Sequence, residues 1–307
     1  MLGKIISTII IFFQSLIGFH QPENIFIPAQ ISTSLIEKSA FVENRLIPEL
    51  PIRRWNVDDV DLNTASAFAM DVYSGKILYQ KNSEQKQPIA SLTKIMTAVA
   101  FLENFKEKDL EQTTTISKEA VETYGRIGNL YVGEKISLKN LLYILLMSSS
   151  NDAAVALAEY TKEQGEMDLV DLMNEKAQKL NLKNTSFIDP SGLDQDNIST
   201  AEDLIAITKY ALNFEIIRDI LKTNTIDLPS ADGSYIHHLT NTNKLLNKIP
   251  EVIGGKTGYT EEAGKCMLLI IKISDKNNII ILAVLGAEDR FAEAEKLANW
   301  VKNAYVF

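Results

Sequence analysis

Between Pro88 and Phe105 the chain holds a segment that has few places to go in a folded protein. Ser91 to Asn104 reads as a helix, yet Leu92, Ile95, Met96, Ala98, Val99, Ala100 and Phe101 make it apolar on nearly every side. A helix without a polar face must be covered all round, so it belongs in the middle of a domain. Lys94 lies on that helix and has few faces on which to meet water. The covering material is available. Of 307 residues, 46% are hydrophobic and only 14 are Gly and 8 Pro, which supports a large core and excludes disordered and collagen-like classes.

The elements around this helix define the fold class. Ala65 to Val72 reads as a short apolar strand that turns at Ser74-Gly75 into Lys76 to Gln80, a β-hairpin. Ser137 caps a helix over Leu138 to Met147, and another starts near Asn151 and runs through Ala153 to Tyr160. Met167 to Leu180 is amphipathic, Asn181 to Ser199 is a long loop, and Thr200-x-x-Asp203 opens a helix to Leu212. Val252 to Tyr259, Cys266 to Ser274 and Ile279 to Gly286 then read as strands, the last two joined by a turn at Asp275 to Asn278, and Asp289 to Ala304 closes as a helix. Strands come first and last with helices between, and βαβ alternation is missing. That order predicts an α+β domain with a mainly antiparallel sheet flanked by helices.

Three domain segments follow. Lys4 precedes an apolar run from Ile5 to Phe19, about 22 Å long as a helix and short of the roughly 30 Å hydrocarbon core. Residues 1–20 are therefore expected to be an export signal or an uncleaved membrane anchor. Residues 21–62, with Pro22, Pro28, Pro48 and Pro51, are expected to form a spacer, and residues 63–307 the folded domain. The net charge of −9 argues against nucleic acid as a partner. Cys266, alone in an apolar run, reads as a buried structural thiol, and His20, His237 and His238 form no metal-binding or triad pattern. In Tyr235-Ile236-His237-His238 the two histidines face opposite ways if the stretch is a strand. No metal or cofactor is implied, and a nucleophile in this chain needs a base other than histidine.

Ser91-Leu92-Thr93-Lys94 meets that need, because positions i and i+3 share a helix face and bring the amine over the hydroxyl. Taken alone it is also the pattern of an N-cap with a solvated lysine. Ser149-Ser150-Asn151, between two apolar helices, suits a simple helix cap as well. Lys256-Thr257-Gly258 is not a phosphate loop, since Pro250 stands where that motif needs glycine and no helix follows. Together, Ser-x-x-Lys, Ser-x-Asn and Lys-Thr-Gly in this order form the set found in penicillin-binding proteins and related β-lactamases. With Asp189-Pro190-Ser191-Gly192-Leu193 and Ala263-Gly264-Lys265-Cys266, the chain from about Ala65 to Trp300 resembles the serine D-alanyl-D-alanine carboxypeptidases, the low-molecular-weight penicillin-binding proteins.

The resemblance implies the β-lactamase/DD-peptidase-like fold with a helical subdomain. It also implies a peptidoglycan stem peptide ending in D-Ala-D-Ala as substrate, and β-lactams as covalent inhibitors. On it, Ser91 is the nucleophile and Lys94 the base, its pKa lowered by burial and by Lys256. Ser149 passes the proton to the leaving amine, Asn151 holds Lys94 and the substrate amide, and Lys256 supplies positive potential. Thr257 binds the terminal carboxylate, and the N–H groups of Ser91 and Tyr259, beside Gly258, form the oxyanion hole. Arg290 matches a family arginine that helps bind the carboxylate, although an arginine starting a helix also serves as a plain surface residue.

Two departures stand out: Ser150 occupies a position more often glycine, and no β-rich second domain precedes Phe307, so membrane contact is expected only through the N-terminal segment. An endopeptidase shares the motif chemistry, a β-lactamase usually needs a glutamate in the long loop where Asn184 to Ile198 has none, and a non-catalytic peptidoglycan-binding scaffold is the reading from another class. The protein is expected to act outside the cytoplasm, on the periplasmic or cell-wall side.

Overall fold

The computed structural model describes residues 50–125, 129–273 and 278–307. The export segment at residues 1–20, the spacer as far as residue 49 and the turn at residues 275–277 lie outside them. Among the described residues no helix is long and apolar enough to cross a membrane.

A five-stranded antiparallel sheet is built from the two ends of the domain. β1 (Ser66–Asp71) and β2 (Ile77–Lys81) form the early hairpin, and β3 (Val252–Thr260), β4 (Gly264–Ile273) and β5 (Asn278–Ala287) come late. The order is β3-β4-β5-β1-β2, with β5 joined to β1 at Leu282 opposite Ala69. β4 and β5 read as long apolar runs because both faces of the sheet are covered there. Along β5, Ile281, Ala283 and Leu285 face one core while Ile280, Leu282 and Val284 face a second. Side chains alternate faces, so each core receives every other residue.

One face packs on a block of helices: α1 (Thr93–Asn104), α2 (Lys118–Glu122), α3 (Leu138–Met147), α4 (Asn151–Glu163), α5 (Leu169–Lys179), α6 (Ala201–Ala211) and α7 (Glu215–Lys222). The other is covered by α8 (Arg290–Ala304) through Ala294, Leu297, Ala298 and Val301. α1 is the covered central helix that its composition requires, with every residue from Thr93 to Leu102 buried. Side chains start most of the helices: Ser137 accepts from Asn140 N, Thr200 from Asp203 N, and Asp289 from Phe291 N and Ala292 N.

Two features differ from the sequence expectation. Residues 52–62, expected to end the spacer, belong to the domain. Ile52–Arg53 pairs with Tyr305–Val306 behind α8, Arg53 sits 5.0 Å over the Trp300 ring, Trp300 Nε1 donates to Asp58 O at 2.7 Å, and Leu62 is buried. The other is a hairpin, Thr225–Pro229 with Ile236–Thr240. In it His237 is buried and His238 exposed, as strand alternation requires. Cys266 is a buried thiol whose Sγ lies 3.4 Å from Ala263 O, and burial pushes its pKa up to about 11, so it stays protonated and inert.

Candidate active site

The segment Ala90–Leu92 is a single 3₁₀ turn, and α1 starts only at Thr93, with no side-chain cap. Ser91 therefore does not cap the helix; its hydroxyl lies 3.0 Å from Lys94 Nζ. Ala90, just before it, is held at φ +48, a conformation that costs a non-glycine residue energy and that collects at functional sites. The long loop holds it there. A Cβ on Gly192 would sit 2.0 Å from Ala90 O, so only glycine lets the loop approach so closely. β3 approaches from the other side, where a Cβ on Gly258 would meet Ile89 O at 3.0 Å.

Lys94 is fully buried. Its Nζ lies 2.7 Å from Asn151 Oδ1 and 2.5 Å from Ser191 O, and both of these atoms can only accept. A neutral amine has two hydrogens and one lone pair. If the hydrogens go to Asn151 and Ser191, the lone pair is left for the Ser91 hydroxyl. Burial carries the Lys94 pKa down from 10.5 to about 7, against the opposing pull of Asp189 and Asp152. Burial is the main cause of the lowering. Lys256, also buried, is lowered first by its own burial and then by the charges of Lys94 and Arg290, so the two lysines each disfavour a charge on the other.

Ser149 and Ser150 divide the two jobs that a Ser-Ser-Asn turn suggests. Ser150 caps α4 by accepting from Ala153 N, which gives a serine a use where glycine is more common. Ser149, at φ +62, turns away from the helix and accepts from Lys256 Nζ at 2.7 Å. Lys256 also reaches Thr257 O at 2.9 Å, and Thr257 Oγ1 donates to Thr242 Oγ1 at 2.7 Å. Asn151 gives its Nδ2 to Tyr124 O at 3.0 Å and Gly125 O at 3.3 Å, so both ends of its amide are occupied. In this arrangement it serves the lysine. Arg290, the first residue of α8, is partly buried and donates to Gly258 O at 2.6 Å, while its buried Nε has no partner. Tyr259, next to Gly258 on β3, is well exposed at the mouth of the site.

Ser191 and Asp189 were not among the expected site residues, although they lie in a stretch that signalled the resemblance. Asp189 Oδ1 accepts from Ser191 N, Ser191 Oγ and Gly192 N, and Oδ2 from Asp194 N and Asn197 Nδ2, all within 2.6–2.8 Å. Burial pushes its carboxyl up, but these bonds outweigh that and hold its pKa below the ordinary value. The carboxylate thereby ties the loop into the shape that presents Ser191 O to Lys94. Among the described residues, no group of three or more His, Cys, Asp or Glu could hold a metal ion.

A buried lysine of lowered pKa facing a serine hydroxyl, with a second buried lysine facing a second serine, is the apparatus of a serine hydrolase that works without histidine. Comparison with known proteins specifies the kind. The profile of the D-alanyl-D-alanine carboxypeptidase family matches residues 54–289. Over 248 residues the chain is 34% identical to a D-alanyl-D-alanine endopeptidase of Pseudomonas aeruginosa, covering 80% of this chain and 79% of that one. It is 35% identical over 254 residues to the carboxypeptidase DacF of Bacillus subtilis, covering 78% of this chain and 62% of that one. The crystal structure of a Streptomyces DD-transpeptidase matches with a TM-score of 0.73 at 29% identity, over 80% of this chain and all of the other. The chain belongs to the D-alanyl-D-alanine carboxypeptidase family of serine peptidases.

Proposed function

We propose that this protein removes the terminal D-alanine from peptidoglycan stem peptides ending in D-Ala-D-Ala, through an acyl-enzyme on Ser91. The observation that carries the reading is the contact of Lys94 Nζ with Ser91 Oγ inside a pocket that lowers the lysine pKa to about 7. Near neutral pH a sizeable fraction of Lys94 is then neutral, so it takes the Ser91 proton as Oγ bonds to the carbonyl carbon. The N–H groups of Ser91 and Tyr259 receive the developing oxyanion. The C–N bond breaks, and a proton passes through Ser149 to the leaving amine. Water then hydrolyses the ester, releasing the shortened peptide and restoring the Ser91 hydroxyl. Thr257 and Arg290 receive the substrate carboxylate, with Lys256 adding positive potential. The bond from Arg290 to Gly258 O, which holds the guanidinium against the site strand, supports that role over a plain surface one.

A second reading has its own support. The Pseudomonas relative, with 79% of its length matched, is named an endopeptidase, so hydrolysis of D-Ala cross-links belongs to the same proposal. Both substrates lie outside the cytoplasmic membrane, which fits residues 1–20 as an export signal or anchor. β-Lactams are expected to acylate Ser91. The test compares D-alanine release and fluorescent-penicillin labelling in the parent and in Ser91→Ala. Release and labelling that vanish in the variant support the proposal; a parent that neither releases D-alanine nor labels favours a non-catalytic binding role.

A further inference from the structure

Ser148, next to the proton-relaying Ser149, lines a second cavity of about 420 Å³ that the reaction as derived does not use. The stretch Tyr235 to Leu239 forms most of its wall, and Tyr131 lines it as well. Tyr131 and Tyr235 stack with ring centroids 4.2 Å apart and planes 15° from parallel, and both remain partly exposed, at 43% and 39%. Ile236, further along the same wall, is exposed as well.

This wall is held rigidly. His237 Nε2 lies 2.6 Å from Glu134 Oε1 in a buried pair, and Glu134 Oε2 accepts from Tyr131 N at 3.1 Å. One buried carboxylate thus fixes the backbone under Tyr131 to the strand that follows Tyr235. The same stretch runs on to Thr242, whose N donates to Met147 O at 3.0 Å and whose hydroxyl meets Thr257. The cavity is therefore joined to the catalytic centre twice, through Ser148–Ser149 and through residues 239–242.

The direction of the reaction gives the cavity its meaning. Ser149 protonates the departing amine, so the leaving group lies on the Ser149 side. A free D-alanine needs no room beyond its carboxylate. The leaving amine of a cross-link differs: its carbon bears a carboxylate and also a side chain that continues into a second stem peptide. Such a chain needs space just past Ser149, and flat tyrosine rings with hydroxyl groups suit its amide planes and carboxylates.

We infer that the Tyr131–Tyr235 cavity is the subsite for the second stem peptide of a cross-linked substrate, which makes it the determinant of endopeptidase over carboxypeptidase turnover. This rests on the acyl-serine reading of Ser91. The test uses the full chain, a peptide ending in D-Ala-D-Ala, and a dimer of two stem peptides joined through D-alanine. The variants are the double substitution Tyr131→Ala with Tyr235→Ala, and the single Tyr235→Phe. The double variant is expected to lose at least tenfold in kcat/KM for the dimer, while D-alanine release and penicillin acylation stay within twofold of the parent. Tyr235→Phe, which keeps the stacked wall, is expected to retain dimer cleavage within about threefold. A parent that labels with penicillin but does not cleave the dimer overturns the inference. So do dimer cleavage unchanged in the double variant and an equal fall on both substrates. A parent that fails to label at Ser91 overturns the acyl-serine reading itself, and the two failures are thereby told apart.

Discussion

Replacing Lys94 with Met measures what the active site costs the fold. A buried lysine whose pKa falls from 10.5 to about 7 carries roughly 3.5 pH units of disfavoured protonation, at about 1.4 kcal/mol each. The native state is thereby weakened by about 5 kcal/mol wherever the unfolded chain's lysine is charged and the native one must be charged too. That deficit is complete below about pH 7, where both states are protonated, and shrinks as pH rises towards 10.5, because in that window the unfolded state holds the extra proton. Met matches the length and apolar stem of lysine, but it leaves Asn151 Oδ1 and Ser191 O without their donor. Those two losses cost about 1 kcal/mol each. Lys94→Met is thus expected to be more stable than the parent by about 2–3 kcal/mol at pH 6.5 and to lose that advantage by pH 10. It should not acylate with penicillin at any pH. Urea unfolding of both proteins from pH 6 to 10 supplies the comparison, since groups common to both cancel. Lys256 does not cancel completely, because removing Lys94 also relieves the repulsion at Lys256, which adds to the variant's advantage at low pH. A stability difference that stays flat across this range would refute the argument, for it would mean that Lys94 does not titrate with a depressed pKa.

Other expectations follow from the same geometry. Penicillin acylation should rise with pH through about 7 and then level off, because the reactive form of Lys94 is the neutral one; a rate independent of pH between 5.5 and 8 would remove Lys94 as base. Gly192→Ala, at φ +82 and with its Cβ driven into Ala90 O, should cost more than about 2 kcal/mol in thermal unfolding and slow acylation by moving Ser91. Glu134→Ala removes the acceptor of the buried His237 Nε2 and of Tyr131 N and should destabilise by about 1–3 kcal/mol in urea titration. Arg53→Ala releases residues 52–62 from the Trp300 and Tyr305 rings, and hydrogen exchange there should speed up while acylation is unchanged.

The central helix, the cover it demands and the antiparallel sheet were all legible in the residues. α1 has no polar stripe, β4 and β5 carry unbroken apolar runs at residues 266–271 and 279–285, and the predicted caps Ser137 and Thr200 accept from Asn140 N and Asp203 N. Local chemistry is enough for these, because a helix start or a doubly covered strand is written in consecutive side chains. Ser91 and Lys94 were readable as a pair because they stand three residues apart, and the 3₁₀ turn running into α1 keeps them in contact. Tertiary structure alone decided the rest. Residues 52–62 looked like a spacer because their partners are Trp300 and Tyr305, at the other end of the chain. Ser191 reaches Lys94 with a backbone carbonyl, which no side-chain pattern reveals, and Asn151 spends its amide on two more carbonyls at Tyr124 and Gly125. The depressed pKa of Lys94 was expectable in direction, but its main cause is burial, which only the packed structure around α1 supplies. Sequence determines which groups can react; only the folded surroundings, by excluding water and fixing acceptors, bring the lysine pKa down to about 7 and turn its amine to the serine.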